Sequence, residues 1–345
     1  MHVNSANRIS GYDFNNSEAS GSLNLEFTDS QIDTAKKILN QIFARRRLLP
    51  AEPDQPGCFM QEAEPHLGKI AAAVAANKRI NLILPGFPAK SPNRLKTLSP
   101  LPDLAERHAL QNLNTLCDEI SQIHSPGAYV TICSDGRVFA DLVRIPEQDV
   151  TEYGMHLREY ARRFHPDAFE FFNLDNVYSE VKDYTSLREE LLVRFGESIY
   201  DLRKRIKMEP EAKAMYQGIT RFIFEDYAGL DIFKNESRTT LQKLARSVAY
   251  RLIQRSNAWT RLLEQHFDSA IRLSIHPQFR VSRKIGINLA STDDCWLTPW
   301  HGVALKNGDQ ITLVKRKYAE QVGLLAFEDG RPSHFEYRGG IPSSS

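Results

Sequence analysis

Apolar residues recur at helical spacing from about Thr28 to Arg45. Ile32, Ala35, Ile38, Leu39, Ile42 and Phe43 form one stripe, and Thr28 with Gln31 makes a capping box. A loop carrying Pro50, Pro53 and Pro56 follows, then a helix over Gln61–Asn77. Ile80–Leu84 breaks the pattern. It is a short continuous apolar run stopped by Pro85-Gly86, as expected of a strand buried on both faces of a parallel sheet. Leu104–His124 reads as helix. Ala128–Cys133 and Val138–Val143 read as strands joined by the turn sequence Ser134-Asp135-Gly136.

The middle of the chain is helical: Val150–Phe164, Ser186–Ile206 with the capping pair Ser186/Glu189, Pro210–Tyr227, and Ser237–Phe267. Strands return at Ala270–Ile275, at Val303–Lys306 and Ile311–Val314 around Asn307-Gly308, and at Val322–Phe327. Strands at both ends of a helical middle predict an α/β fold. It would have a mixed sheet, a Rossmann-like core and a helical cover or subdomain over about 150–267. One catalytic domain is expected over 28–338, with flexible tails at 1–27 and 339–345. The first tail is rich in Asn, Ser and Gly and lacks the basic-plus-apolar pattern of a secretory signal.

Charge changes this picture by exclusion. The 345 residues carry 44 Lys+Arg against 43 Asp+Glu, a net charge of +1, so no global field draws the chain to nucleic acid or an anionic membrane. No apolar run reaches the ~18–20 residues needed to span a bilayer, and a cytoplasmic location is expected. Four scattered cysteines, without a Cys-x-x-Cys pair, fit reduced thiols rather than a disulfide scaffold or zinc module.

Candidate chemistry gathers after the strands. The loop beyond Pro85-Gly86 offers Lys90, Arg94 and Lys96 with Ser91 and Asn93, cations and neutral donors that suit a phosphate. It lacks the glycines of a Walker loop. Asp135 sits at a turn, and Asp141 would share a strand face with Phe139, a carboxylate in an apolar run. In Ile271–Pro277, Arg272, Ser274 and His276 alternate with apolar residues to make one polar face. Trp300 and His301 add a stacking surface and a titratable ring. His165-Pro166-Asp167 matches the His-x-Asp of an iron site completed by His276 or His301. A helix-terminating His-Pro explains it better, and no metal is expected. There is no Gly-x-Ser-x-Gly elbow and no nucleic-acid module.

Five segments in order resemble the isonitrile synthases of the pyoverdine/dityrosine biosynthesis family. They are Phe87-Pro88-x-Lys90-Ser91-x-Asn93 with Lys96, Asp103 and Glu106; Ser134-Asp135-Gly136-x-Val138-Phe139-x-Asp141; Ile253-Gln254-Arg255 with Trp259; Arg272–His276; and Pro299-Trp300-His301. Two departures are Ser99, where glycine is expected, and Arg137, where histidine is common.

The resemblance implies a reaction in which the α-amino group of an aromatic L-amino acid becomes an isonitrile. The carbon comes from C2 of the co-substrate ribulose 5-phosphate, and no cofactor takes part. It implies a phosphate clamp of Lys90, Ser91, Asn93 and Lys96 with Arg255 or Arg272. Asp135, Asp141 or His276 would be the base, His276 or His301 the acid near neutrality, and Lys90 a ketone-polarising group or Schiff-base former. Tyrosine is favoured over tryptophan. Phe171, Phe172, Tyr178, Tyr184, Phe222 and Tyr227 are candidate pocket residues, and a downstream oxygenase is the expected pathway partner. Two rivals remain open: an Fe(II)-dependent oxygenase built on His165 and Asp167, and a non-catalytic phospholigand-binding module.

Overall fold

The computed structural model describes residues 27–50, 58–178, 180 and 183–339; both expected tails and most of the proline loop lie outside them, apart from 27, 339 and Pro50. Helices α1 (Asp29–Ala44) and α2 (Phe59–Ala75) precede the central strand β1 (Ile80–Pro85). The α1 cap forms as expected, with the Thr28 side chain accepting from the Gln31 amide. Helix α3 (Leu104–Ile123), β2 (Ala128–Cys133), α4 (Gly136–Val143), α5 (Glu147–Phe164) and β3 (Phe169–Phe172) follow. The helical block comprises α6 (Leu174–Val177), α7 (Tyr184–Phe195), α8 (Ile199–Met208), α9 (Pro210–Tyr227) and α10 (Arg238–His266). Then come β4 (Ile271–Ser274), β5 (Ile285–Gly286), β6 (Val303–Asn307), β7 (Gln310–Val314), α11 (Arg316–Val322), β8 (Gly323–Glu328) and β9 (Arg331–Tyr337).

The strands form two sheets rather than one mixed sheet. The first has the order β3-β2-β1-β4-β5, and all its pairings are parallel. That order is compatible with the expected Rossmann-like core, and it places a topological switch point between β1 and β4. The second has the order β7-β6-β9-β8, with β6 and β9 parallel and the outer pairs antiparallel. Leu82, Leu84, Val130, Ile132, Ile271 and Leu273 fill the core between the first sheet and α1, α2 and α3. On the other face Ile83, Cys133, Phe172, Trp259 and Leu263 pack under the helical block.

Four expectations change. Val138–Val143 is helix α4, not a strand, because β2 is already flanked by β1 and β3 and the chain must cross over to reach β3. Its first residue must be glycine, since a Cβ on Gly136 would lie 2.1 Å from the Pro88 carbonyl oxygen. The Ser186–Ile206 helix divides at Gly196, and Ser198 caps α8 by accepting from the Asp201 amide. Asp183, rather than Ser186, caps α7. Strand β9 lies beyond the last expected strand, its Pro332 and charged residues masking a strand that pairs on both sides.

Candidate active site

The carboxyl ends of the parallel strands open toward one region, where the loops after β1, β2 and β4 meet the turn at Pro299–His301. The loop after β1 is built into the protein rather than spread in solvent. Trp300 stacks obliquely on Phe87 at 5.1 Å, and a Cβ on Gly86 would touch its ring at 3.0 Å. The Ser91 amide donates to the Trp300 carbonyl (2.9 Å). Ser91 Oγ accepts from the Asn93 amide, and Asn93 Oδ1 accepts from the Leu95 amide, so both side chains hold the loop's own turn. Lys90 Nζ sits 2.8 Å from Asp103 Oδ2 and 2.8 Å from Glu106 Oε2, and donates to the Pro299 carbonyl at 2.9 Å. Its side chain is fully buried. Burial opposes its charge, but the two carboxylates outweigh burial and raise the ammonium pKa. The ammonium is enclosed by two carboxylates and a carbonyl, and the amine stays charged. This differs from the open phosphate clamp and the Schiff-base amine expected, because α3 delivers two carboxylates under the loop.

Lys96 is half-buried on this loop, and Arg94 is exposed. Lys96 pairs with Asp226 of α9 and lies 5.3 Å over the Phe222 ring. Phe222 in turn meets His301 edge-on at 5.1 Å. The sequence reading missed Asp226, for which nothing in the α9 pattern gave a signal.

Asp135 and Arg272 form the second side of the site. Asp135 follows β2, and Arg272 lies on β4 in register with Ile83 of β1. Asp135 Oδ1 and Arg272 Nε and Nη1 are buried without a hydrogen-bond partner. Burial raises the Asp135 pKa to about 7, while its own backbone amide and Arg272 restrain the rise. Burial lowers Arg272 to about 10, which leaves it charged at neutral pH. Polar atoms stripped of water and left unpaired are costly, and a ligand that supplies the missing partners relieves that cost.

His276 and His301 sense each other electrostatically across the same region. Burial pushes His301 down to about 4, with Lys96, His276 and Lys90 adding to the fall and Asp226 opposing it. Its Nδ1 lies 3.1 Å from Thr298 Oγ1. His276 is ringed by protein yet open to water on one side, and packs against Trp296 at 5.8 Å. Burial on its protein side, Arg47 and Lys284 lower its pKa, and the solvent-exposed side of the ring limits the fall. Both imidazoles are therefore neutral at pH 7. Burial brings Asp135 into the neutral range, where the histidines were expected to titrate.

Other candidates fall elsewhere. Asp141 lies on the outer side of α4, where Arg255 binds it through both guanidinium nitrogens and Arg188 approaches at 3.4 Å. Arg255 also donates to the Val138 carbonyl. The pair fastens α10 to α4, and Asp141 is not the carboxylate in an apolar strand that was expected. Ser274 Oγ accepts from the His276 amide and shapes the end of β4. Arg137 bonds Glu147 and Thr151 and covers Tyr184, tying α4, α5 and α7 together. Of the aromatic candidates, Phe222 reaches His301, Phe172 stacks on Trp259 in the core, and Tyr227 donates to the Leu142 carbonyl. His165 ends α5 and, with Asp167, flanks the amino-terminal ends of β2 and β3, whereas His276 follows the carboxyl end of β4. The facial arrangement an oxygenase needs is not assembled from these residues.

This site lies inside a recognised family segment: residues 70–324 match the model described as pyoverdine/dityrosine biosynthesis protein. The chain belongs to that family. It is 41% identical over 306 residues to the L-tryptophan isonitrile synthase AmbI1 of Fischerella ambigua, covering 87% of this chain and 94% of that one. It is 40% identical over 309 residues to the L-tyrosine isonitrile synthase of Pseudomonas aeruginosa, covering 87% and 93%. The crystal structure of the PvcA protein from Pseudomonas aeruginosa superposes with a TM-score of 0.81 at 38% identity, over 88% of this chain and 99% of that one. The chain is an enzyme of the isonitrile synthase type. Among the described residues no helix is long and apolar enough to cross a membrane.

Proposed function

We propose that this family member converts the α-amino group of an aromatic L-amino acid to an isonitrile, with C2 of ribulose 5-phosphate as the carbon source. The observation in this chain that carries the reading is the unpartnered Asp135–Arg272 pair at the switch point of the parallel sheet. An amino acid plus a sugar phosphate presents one ammonium and two anions, and the pair offers one carboxylate and one guanidinium. Asp135, with a pKa near 7, takes a proton from the ammonium, and the neutral amine attacks the ketone carbon. Arg272, with Lys96 at the rim, holds the phosphate. The neutral imidazoles of His276 and His301 then orient the carbinolamine for loss of water, with protonated Asp135 returning the proton.

Tyrosine is the proposed amino acid. Relatives named for tryptophan and for tyrosine lie at almost equal identity and do not decide between them. A phenol needs a polar partner in its pocket, and a site that supplies one rejects the analogue lacking the hydroxyl. The product would pass to an oxygenase in the same pathway. Incubation with the proteinogenic amino acids and ribulose 5-phosphate, followed by mass spectrometry, tests the reading. A phenol-bearing isonitrile is expected. An indole product would overturn the choice of tyrosine, and no isonitrile at all would overturn the reaction.

A further inference from the structure

Lys90 joins three parts of the chain that are otherwise separate. It stands on the loop after β1, its ammonium lies between Asp103 and Glu106 at the start of α3, and its third proton goes to Pro299 in the turn that carries His301. The two acids also build the helix start: Asp103 accepts from the Ala105 amide at 2.9 Å, and Glu106 accepts from the Asp103 amide at 3.0 Å. Tyr153 of α5, itself buried, donates to Glu106 Oε1 at 3.3 Å and brings a fourth element into the cluster. One residue after Lys90, the Ser91–Trp300 hydrogen bond repeats the link to the same turn.

We propose that Lys90, together with Asp103, Glu106 and Tyr153, is a positioning node that sets the Pro299–His301 turn against the strand mouth, and that Lys90 does not touch the phosphate. Its ammonium is enclosed by Asp103, Glu106 and the Pro299 carbonyl, with no side-chain surface open to a ligand. Moving the turn by an ångström displaces the His301 ring, and displacements of that size cost on the order of a hundredfold in rate. Burial raises the Glu106 pKa and Lys90 opposes the rise, so the ammonium is what keeps this acid from taking up a proton.

The kinetic and binding arms of the test rest on the proposed function, which supplies both substrates; the stability arm does not. Removing one partner of a buried ion pair leaves a naked charge, whereas removing both is often nearly neutral. Lys90→Met should therefore lower the melting temperature and reduce kcat by roughly ten- to a hundredfold. The Kd for ribulose 5-phosphate, measured by calorimetry, should change less than threefold. In the double variant Lys90→Met/Asp103→Asn, Glu106 has lost the ammonium that opposed its rise and can take up a proton, so most of the melting temperature and part of kcat should return. If the single variant fails to fold, the double one supplies the binding comparison. A Kd raised tenfold or more in the double variant, or no recovery of melting temperature in it, overturns the proposal. A wild type that binds the sugar phosphate but yields no isonitrile overturns the functional reading instead, and the melting comparison still tests the node.

Discussion

Asp135 and Arg272 attract one another across β1, yet no ion pair closes between them, and each keeps buried polar atoms unpaired. Each therefore presents buried polar atoms that a bound group of opposite charge could satisfy. The first prediction follows from those unpaired atoms. Asp135→Asn should lower kcat by roughly 10²–10⁴-fold, the range for losing a general base. It should also stabilise the fold above neutrality. Asp135 has a raised pKa in the folded state, so between about pH 4 and 7 the native protein binds more protons than the unfolded chain, and stability falls as pH rises. Removing the acid removes that loss, worth on the order of 1–4 kcal/mol at pH 8. Thermal melting at pH 5 and pH 8 checks it; equal shifts at both would count against a buried Asp135.

The same group sets the pH profile. A base near 7 makes kcat/KM rise as pH increases through about 7. Because His301 is pushed well below its usual range, it should contribute no limb near 6.5. In Asp135→Asn the limb near 7 should vanish. Its survival in that variant would transfer the titration to another group.

Arg272→Gln should weaken ribulose 5-phosphate binding by about ten- to a hundredfold, the cost of one charge-assisted contact of ~1.5–3 kcal/mol. The effect on the KM of the amino acid should be smaller. Equal losses for both substrates would point to a structural rather than a ligand-binding guanidinium.

Asp141→Asn should leave kcat within about threefold, since Asp141 is bound by Arg255 on the outer side of α4. A half-exposed ion pair of this kind contributes on the order of 1 kcal/mol or less to stability. A loss of a hundredfold would restore Asp141 as a candidate base.

His165→Ala should retain most activity, and turnover should survive dialysis against EDTA. His165 packs between Tyr160 and Phe169, away from the strand mouth. Loss of turnover on chelation, restored by Fe(II), would favour the oxygenase reading.

Much of the fold was legible because single local rules governed it. The α1 cap and stripe, and the doubly buried run of β1, depend on neighbours close in sequence. Val138–Val143 was not legible in this way. Its apolar residues satisfy both periods over six positions, and the outcome turned on β2 already having two neighbours. The site divided along the same line. Asp135, Arg272, His276 and His301 were found because they follow or occupy strand ends. Which of them titrates near neutrality depends on burial by distant elements, and Lys90 looked open because Asp103 and Glu106 reach it only once α3 has folded back.

The pairing of β1 with β4 joins Leu82 to Ile271 and Ile83 to Arg272, with more than half the chain between them. During synthesis β1 and β2 can pair early, but the other side of β1 stays a bare, strongly apolar edge until the whole helical block has emerged. Closing so long a loop is slow, and an uncovered edge invites pairing with other chains. Arg272 arrives with the strand that covers that edge. The guanidinium side of the site therefore comes into being only with the final closure of the sheet, and a nascent chain halted before β4 would be both incompetent for catalysis and prone to self-association.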